Sequence, residues 1–149
     1  MRCASTRRTA MNDAEEERIF RPINELEIQL LSVKAGQISP RAFITFLFTQ
    51  QVYLLSSEPV DMIHPTLEHA LYISDDQQPT RLAIFSSRKR AEPWIEAFPA
   101  YANGAWMQFT EVLQQCQPGS GIMLNPGQPA GLAIPPEGVT DLRHELGPG

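Results

Sequence analysis

The sequence predicts a single compact α/β domain, of the α+β kind, with an N-terminal helical hairpin followed by a mixed sheet of about 5–6 short strands on which helices pack. Segments with apolar residues at helical spacing alternate with short apolar runs typical of strands. One pair of these runs is joined by a polar turn, which indicates a β-hairpin. The length of 149 residues suits one sizeable core and rarely two.

The N-terminal part of the chain divides into a tail and two helices. Residues 1–18 are polar and charged, so we expect a disordered tail there and a single domain over residues 19–149. Asn24 and Glu27 have the spacing of a capping box, which predicts that a helix begins at this point. Ser39-Pro40 predicts the start of a second helix, because proline loses no hydrogen bond at the first helical position.

Two further features support the first helix. Ile23 and Ile28 stand at the positions of a hydrophobic staple. Leu26 and Leu30 share one face, and Gly36 is placed to end the helix in the left-handed conformation.

The strand-type runs follow from Gln51 onwards. A hairpin is predicted around the turn Asp75–Pro79, and two runs near the C-terminus flank a second turn. The predicted strands are Val52–Leu55, Ala70–Ile73, Arg81–Phe85, Ala105–Phe109, Gly121–Leu124 and Gly131–Ile134.

Three helices are predicted between and after these strands. Ser86-Ser87 is suited to cap the first, in which Pro93 predicts a kink or a split because an interior proline lacks the backbone donor. Thr110 is the predicted cap of the second, which Gly119 and Gly121 should end. Pro135-Pro136-Glu137 is typical of the start of the third.

The overall charge and the cysteines restrict the class of function. A formal net charge of −5 argues against a general nucleic-acid binder, which needs a basic face. No apolar run approaches the roughly 18 residues of a membrane span, and the N-terminus lacks the apolar part of a secretory signal. Cys3 and Cys116 make no disulfide framework, so we expect reduced thiols and a cytoplasmic protein.

No catalytic or metal-binding pattern is present. His64, His69 and His144 have no spacing suited to a metal site, so no metal or cofactor is predicted. The sequence has no nucleophile elbow, and Cys116 falls in an apolar helical pattern where it should act as a small buried hydrophobe. We therefore expect a protein that is not an enzyme.

One basic cluster and nearby aromatic residues are the predicted partner-binding residues. Arg88, Lys89 and Arg90 stand at the start of a helix, where positive charge opposes the helix dipole. They could contact an acidic partner or simply form a solvated helix face. Trp94 and Trp106 would either pack under the sheet edge or mark an interface.

The turn Asn125-Pro126-Gly127 follows a strand-type run, which is a common place for a ligand loop. A strand-type run follows it, so no helix N-terminus is available to hold an anion. Proline fixes φ near about −65° and glycine accepts a positive φ, so the pair suits the centre of a type II turn. We predict a structural turn, with Asn125 bonding its own backbone.

Three segments together resemble a known family. They are "FRPINELEIQLLSVKAGQISPRAFITFL", "RLAIFSSRKRAEPW" and "GIMLNPGQPAGLAIPPEGVTDL". In this order they resemble the N-terminal domain of SseB, the enhanced serine sensitivity protein. The resemblance implies a compact α/β module without an assigned catalytic site, loosely associated with serine sensitivity and bacterial secretion.

These observations lead to two functional hypotheses. The first is a non-enzymatic bacterial protein-binding or regulatory module of the cytoplasm. Its partner would be another protein, such as a toxin, an effector or a secretion component, as for an immunity or accessory protein, and a homodimer is a further option. The alternative is a small-ligand-binding protein or enzyme that uses a pocket near Asn125-Pro126-Gly127.

Overall fold

A computed structural model of the protein describes residues 21–61, 63, 65–75 and 77–146. Within these ranges the chain forms five α-helices, one 3₁₀ turn and six strands. The tail expected over residues 1–18 lies outside the described residues. In chain order the elements are α1 Glu25–Lys34, α2 Pro40–Leu47, β1 Gln51–Ser56, β2 Tyr72–Asp75, β3 Gln78–Ile84, α3 Arg88–Ala97, the 3₁₀ turn Pro99–Tyr101, β4 Asn103–Gln108, α4 Phe109–Gln115, β5 Gly121–Leu124, β6 Leu132–Ile134 and α5 Pro136–Leu146.

The strands confirm the predicted α/β class but form two sheets instead of one. β1 and β4 make an antiparallel pair, and the second sheet has the order β2-β3-β5-β6. In that sheet β3 and β5 run parallel, because α3, β4 and α4 carry the chain back between them, and the other neighbours are antiparallel. The sheets adjoin where Tyr53 and Phe85 exchange backbone hydrogen bonds of 2.8 and 2.7 Å.

Strand β1 lies between two apolar clusters. Val52 and Leu54 face the larger core, which the helices α1, α2, α4 and α5 also enter. Tyr53 and Leu55 point to the opposite side, into a smaller cluster that includes Phe85. Burial on both faces explains why β1 is a continuous apolar run and does not alternate between apolar and polar residues.

The start of α1 departs from the predicted capping box in one detail. Asn24 caps the helix as predicted, since its Oδ1 accepts from the amide of Glu27 at 2.9 Å. The Glu27 carboxylate accepts from the amide of Ile23 at 3.1 Å and not from that of Asn24. Ile23 and Ile28, at the positions of the predicted staple, remain 51% and 47% exposed.

The structure also shows the outcome of three predictions that concern helix caps and prolines. Ser39 caps α2, and Pro40 occupies its first position, as predicted. Helix α3 runs through Pro93 without a split, so the proline removes only its own backbone donor. The prediction that Thr110 caps α4 is wrong, since the helix begins at Phe109 and no side chain caps it.

The predicted end of α4 is also wrong. The helix ends at Gln115, before either glycine. Gly119 instead has a φ of 81° in the turn that leads to β5. A left-handed conformation of this kind is one that glycine adopts without strain.

Candidate functional site

A buried ion pair joins the first turn of α1 to the first turn of α3. Glu27 Oε1 lies 2.8 Å from Arg90 Nη2, and its Oε2 accepts from Arg90 Nε at 3.1 Å. The two side chains are 0% and 10% exposed, respectively. The side chains of Asn24 and Ser87 cap the two helices, and Asn24 Nδ2 also donates to the Ser86 carbonyl at 2.9 Å, which joins the two helix starts. Bidentate pairing of this kind is strong but requires both partners.

Further donors complete the coordination of the Glu27 carboxylate. Ser86 Oγ donates to Oε2 at 2.7 Å, and Arg90 Nη2 also donates to the carbonyl of Arg21 at 2.5 Å. Burial raises the pKa of Glu27, but the hydrogen bonds from Arg90, Ser86 and Ile23 outweigh it and hold this pKa below its ordinary value of 4.5. Glu27 is therefore a stable buried anion and not a poised general base.

Asn125 connects the turn after β5 to this ion pair. Its Oδ1 accepts from the Ser86 amide and its Nδ2 donates to Ser86 Oγ, both at 2.9 Å. The residue is 0% exposed and has a φ of 55°. The prediction that Asn125 bonds its own backbone is wrong, because both ends of its amide bond Ser86. We call Asn24, Glu27, Ser86, Arg90 and Asn125 the polar node.

The backbone after Asn125 forms a type II turn. The Gln128 amide donates to the Asn125 carbonyl at 3.2 Å, and Gly127 has a φ of 79°. Trp94 braces this turn, since its Nε1 donates to the Pro126 carbonyl at 2.8 Å. Asn125 and Pro126 are both buried, so the asparagine amide and the proline ring present no open surface to a ligand.

The five predicted partner-binding residues do not form one surface. Arg88 and Lys89 are exposed at the start of α3, but Arg90 is only 8% exposed and belongs to the polar node. Arg90 must therefore be removed from the predicted basic surface, because its guanidinium points inward to Glu27. Trp94 is half-buried against the turn and stacks on Phe98 at 5.9 Å.

Trp106 lies on a separate surface, in the middle of β4. Its side chain is 42% exposed, and its ring meets the Tyr53 ring edge-on at 5.2 Å. Gly104 allows the Tyr53 ring to cross β4, because a Cβ at that position would lie 1.7 Å from Tyr53 Oη. Tryptophan is enriched at interfaces, so its exposure here makes Trp106 a candidate binding residue.

Three cavities meet at Trp106. The first, of about 460 Å³, lies towards the start of α1 and the α2–β1 connection. The other two, of about 560 and 220 Å³, lie on either side of Trp106 along β4. Their lining residues, besides Trp106, are Asn24, Glu25, Leu26, Thr49, Gln50, Gln51 and Ser86 for the first, Pro59, Val60 and 102–105 for the second, and Gln51, Pro65, Met107, Gln108, Thr110 and Glu111 for the third.

A family model places this chain among known proteins. The model of the SseB protein N-terminal domain matches residues 26–141, which is most of the chain and includes most of the polar node and all of β4. The chain belongs to the SseB N-terminal domain family. This confirms the resemblance stated from the sequence. Searches of curated proteins and of solved structures gave no match.

The described histidines and Cys116 of this SseB domain do not line the three cavities at Trp106. Among the residues that the structure describes, no three or more His, Cys, Asp or Glu side chains form a cluster suited to a metal. His69 and His144 are exposed, whereas His64 lies outside the described residues. Cys116 is buried, and burial raises its pKa although Arg143 acts in the opposite direction.

The node and the β4 surface of the SseB domain differ in how far the sequence could reveal them. The sequence pattern assigns Glu27 to a capping box and Ser86 to a helix start. Neither pattern indicates that both groups meet Asn125, which is 39 positions beyond Ser86. Trp106 is among the predicted partner-binding residues, but its position on a strand edge without a described partner depends on the sheet order.

No described helix of the SseB domain has the length and apolar character needed to cross a membrane.

Proposed function

We propose that this SseB domain is a non-enzymatic protein-binding module whose contact surface is centred on Trp106. The observation that carries the proposal is the 42% exposure of this tryptophan where three cavities meet. Tryptophan is strongly enriched among the residues that dominate binding energy at interfaces, and such residues cluster in pockets. The protein would act in the cytoplasm as a regulatory, accessory or immunity protein bound to a toxin, an effector or a secretion component.

The chemistry of the polar groups supports binding over catalysis. Ser86 is the hydroxyl nearest to a carboxylate in the node, yet it is only 1% exposed. Its Oγ donates to Glu27 and accepts from Asn125, so its hydrogen-bonding capacity is used within the fold. Nothing in the geometry of the Asn125-Pro126-Gly127 turn favours the alternative of a ligand pocket there.

Site-specific photo-crosslinking in the native cytoplasm tests the proposal. A photoreactive phenylalanine analogue would replace Gln108, which is exposed beside Trp106, and a matched control would carry it at Thr140, exposed on α5. We expect a discrete protein adduct from position 108, absent at position 140 and lost when Trp106→Ala is added. Equal adducts from both positions, or none from position 108, would overturn the proposal.

A further inference from the structure

The outer edge of β4 has no strand partner among the described residues. β4 pairs only with β1, so it forms one edge of its sheet. The pairing runs from Gln51 opposite Gln108 to Ser56 opposite Asn103 without a shift in register. An unpaired edge of this kind presents backbone donors and acceptors that another chain can use.

The register shows which backbone groups face outward. One position beyond the ladder, the Phe109 amide donates to the Gln50 carbonyl at 3.0 Å. Because hydrogen-bonded pairs alternate in an antiparallel ladder, Met107 and Ala105 also direct their backbone groups to β1. Gly104, Trp106 and Gln108 therefore direct theirs away from it.

The opposite strand gives an independent check of this alternation. Tyr53 is paired with Trp106, and both its amide and its carbonyl bond Phe85, on the side away from β4. Tyr53 and Trp106 thus form a pair that is not hydrogen-bonded to each other. The outward orientation of the Trp106 backbone follows from this.

Natural sheets protect exposed edges, but the β4 strand itself lacks the usual protective residues. Its sequence, NGAWMQ, contains no lysine, no proline and no charged residue, which are the features that normally block edge pairing. The outer edge strands of the other sheet are shorter, with four residues in β2 and three in β6. β4 is therefore the edge best suited to accept a strand.

Two of the three cavities supply space for such a strand. They share Trp106 and are lined by residues 102–108, 110 and 111, together with Pro59, Val60 and Pro65 from the loop after β1. We call these two cavities the edge groove. Gln51 is the single β1 residue that lines it, so most of the lining belongs to β4, to the start of α4 and to the loop after β1.

The charge at this surface indicates the chemistry of the occupant. Glu25 lines the cavity between Trp106 and α1, and Glu111 lines one end of the edge groove. No Lys or Arg is among the residues lining these three cavities in the described part of the chain. The exposed face of Trp106 would also attract a cationic side chain.

We infer that the edge groove binds an extended, basic peptide segment of a partner protein as an added strand beside β4. This inference rests on the proposed protein-binding function and specifies the partner's chemistry. Backbone hydrogen bonds to Gly104, Trp106 and Gln108 supply the affinity, and alternate Lys or Arg side chains reach Glu25 and Glu111. The acidic net charge of −5 favours the encounter with such a segment.

One substitution tests the backbone contact without changing the fold. Gln108 has a φ of −62°, which proline adopts without strain, and its amide faces away from β1. Gln108→Pro therefore removes one outward donor and leaves the β1–β4 ladder intact. Gln108→Ala is the matched control, because it removes the same side chain and retains the amide.

The probe is a synthetic octapeptide of alternating Lys and Val, and binding is followed by tryptophan fluorescence. We expect about tenfold weaker binding to Gln108→Pro than to Gln108→Ala, as for the loss of one hydrogen bond. An octapeptide of alternating Glu and Val, the Glu-Val twin, should bind the wild-type protein at least tenfold more weakly than the Lys-Val octapeptide does. A Lys-Val peptide with N-methyl groups on the alternate residues that face β4 should lose binding, because each methyl group replaces a backbone donor and blocks strand pairing while the side chains stay the same.

Several results would overturn the inference. They are equal binding of the N-methylated peptide, equal binding of the Glu-Val twin, unchanged binding to Gln108→Pro, or no binding of the Lys-Val peptide. Sedimentation showing a homodimer that Gln108→Pro dissociates would assign the edge to a second copy of the chain and would equally overturn it. If the crosslink from position 108 persists in any of these cases, protein binding by the Trp106 surface stands and only strand addition is lost.

Discussion

The polar node and the edge of β4 are opposite in character and close together in space. The node is a set of hydrogen-bonded polar side chains, of which Glu27, Ser86, Arg90 and Asn125 are buried and Asn24 is half-buried. β4 carries an indole that is 42% exposed and backbone groups without a described strand partner. Both contribute to the lining of the same cavity, through Asn24 and Ser86 on one side and Trp106 on the other.

The comparison of the node with the β4 edge shows that the polar residues of this domain are not its best candidates for binding. Charged and amide groups are the usual candidates for catalytic or ligand-binding residues. In the node, however, their hydrogen-bonding capacity is used within the fold. An exposed aromatic residue and an open strand edge have unused capacity for interaction. In this domain the residues of the polar node stabilise the fold. The exposed face of Trp106 and the outward backbone groups of β4 have no such role in the described structure, so they are the groups that a partner could contact.

The largest expected effect is the loss of the Glu27 carboxylate. Glu27→Ala leaves the Arg90 guanidinium buried without its counter-ion, which should lower the free energy of unfolding by about 3–5 kcal/mol. Urea denaturation measures this change in the free energy of unfolding. The matched control is Glu145→Ala, which breaks the exposed pair with Arg41 at 2.8 Å and should not change the unfolding midpoint measurably. Equal effects of the two substitutions would remove the distinction between node and surface.

The next effect concerns Asn125. Asn125→Ala removes both bonds to Ser86 and places alanine at a φ of 55°, which should cost about 3 kcal/mol in unfolding free energy. Asn125→Gly loses the same bonds without the backbone strain, so it should cost about 1 kcal/mol less. Thermal and urea unfolding distinguish the two. An unchanged melting temperature for Asn125→Ala would show that the turn is not held by the node.

The node should also make stability depend on pH. The folded pKa of Glu27 lies below its ordinary value of 4.5, so the unfolded chain binds the proton more readily. Its contribution is fully present above about pH 4.5 and is lost as the pH falls through the folded pKa. Urea titrations between pH 6 and 3 should show a steeper decline for the wild type than for Glu27→Gln. Parallel curves would contradict this origin of the acid sensitivity.

The smallest expected effect on stability belongs to the β4 surface. Trp106→Ala loses the edge-on contact with Tyr53 and should lower the free energy of unfolding by about 1 kcal/mol. The same substitution should abolish the crosslink from position 108. A stability loss as large as that of Glu27→Ala would show that Trp106 is a core residue rather than a binding residue.

The sequence by itself determined much of the secondary structure. Asn24, Ser39 and Gly36 act through hydrogen bonds or dihedral angles within a few residues of themselves, so their patterns predicted the helix ends correctly. The Pro126-Gly127 pair likewise forms its turn through its own dihedral angles, so its pattern also predicted the local structure. The three segments that resemble the SseB family also lie in the sequence, and the family match confirms them.

Only the tertiary structure decided the roles of Glu27, Arg90 and Trp106. The carboxylate and the guanidinium are 63 positions apart, and no local pattern shows that packing buries them together. A tryptophan in a strand is equally consistent with a core or an interface, until the sheet order places β4 at an edge. The physical reason is the same for each: burial and pairing depend on long-range contacts, whereas caps and turns depend on neighbouring residues.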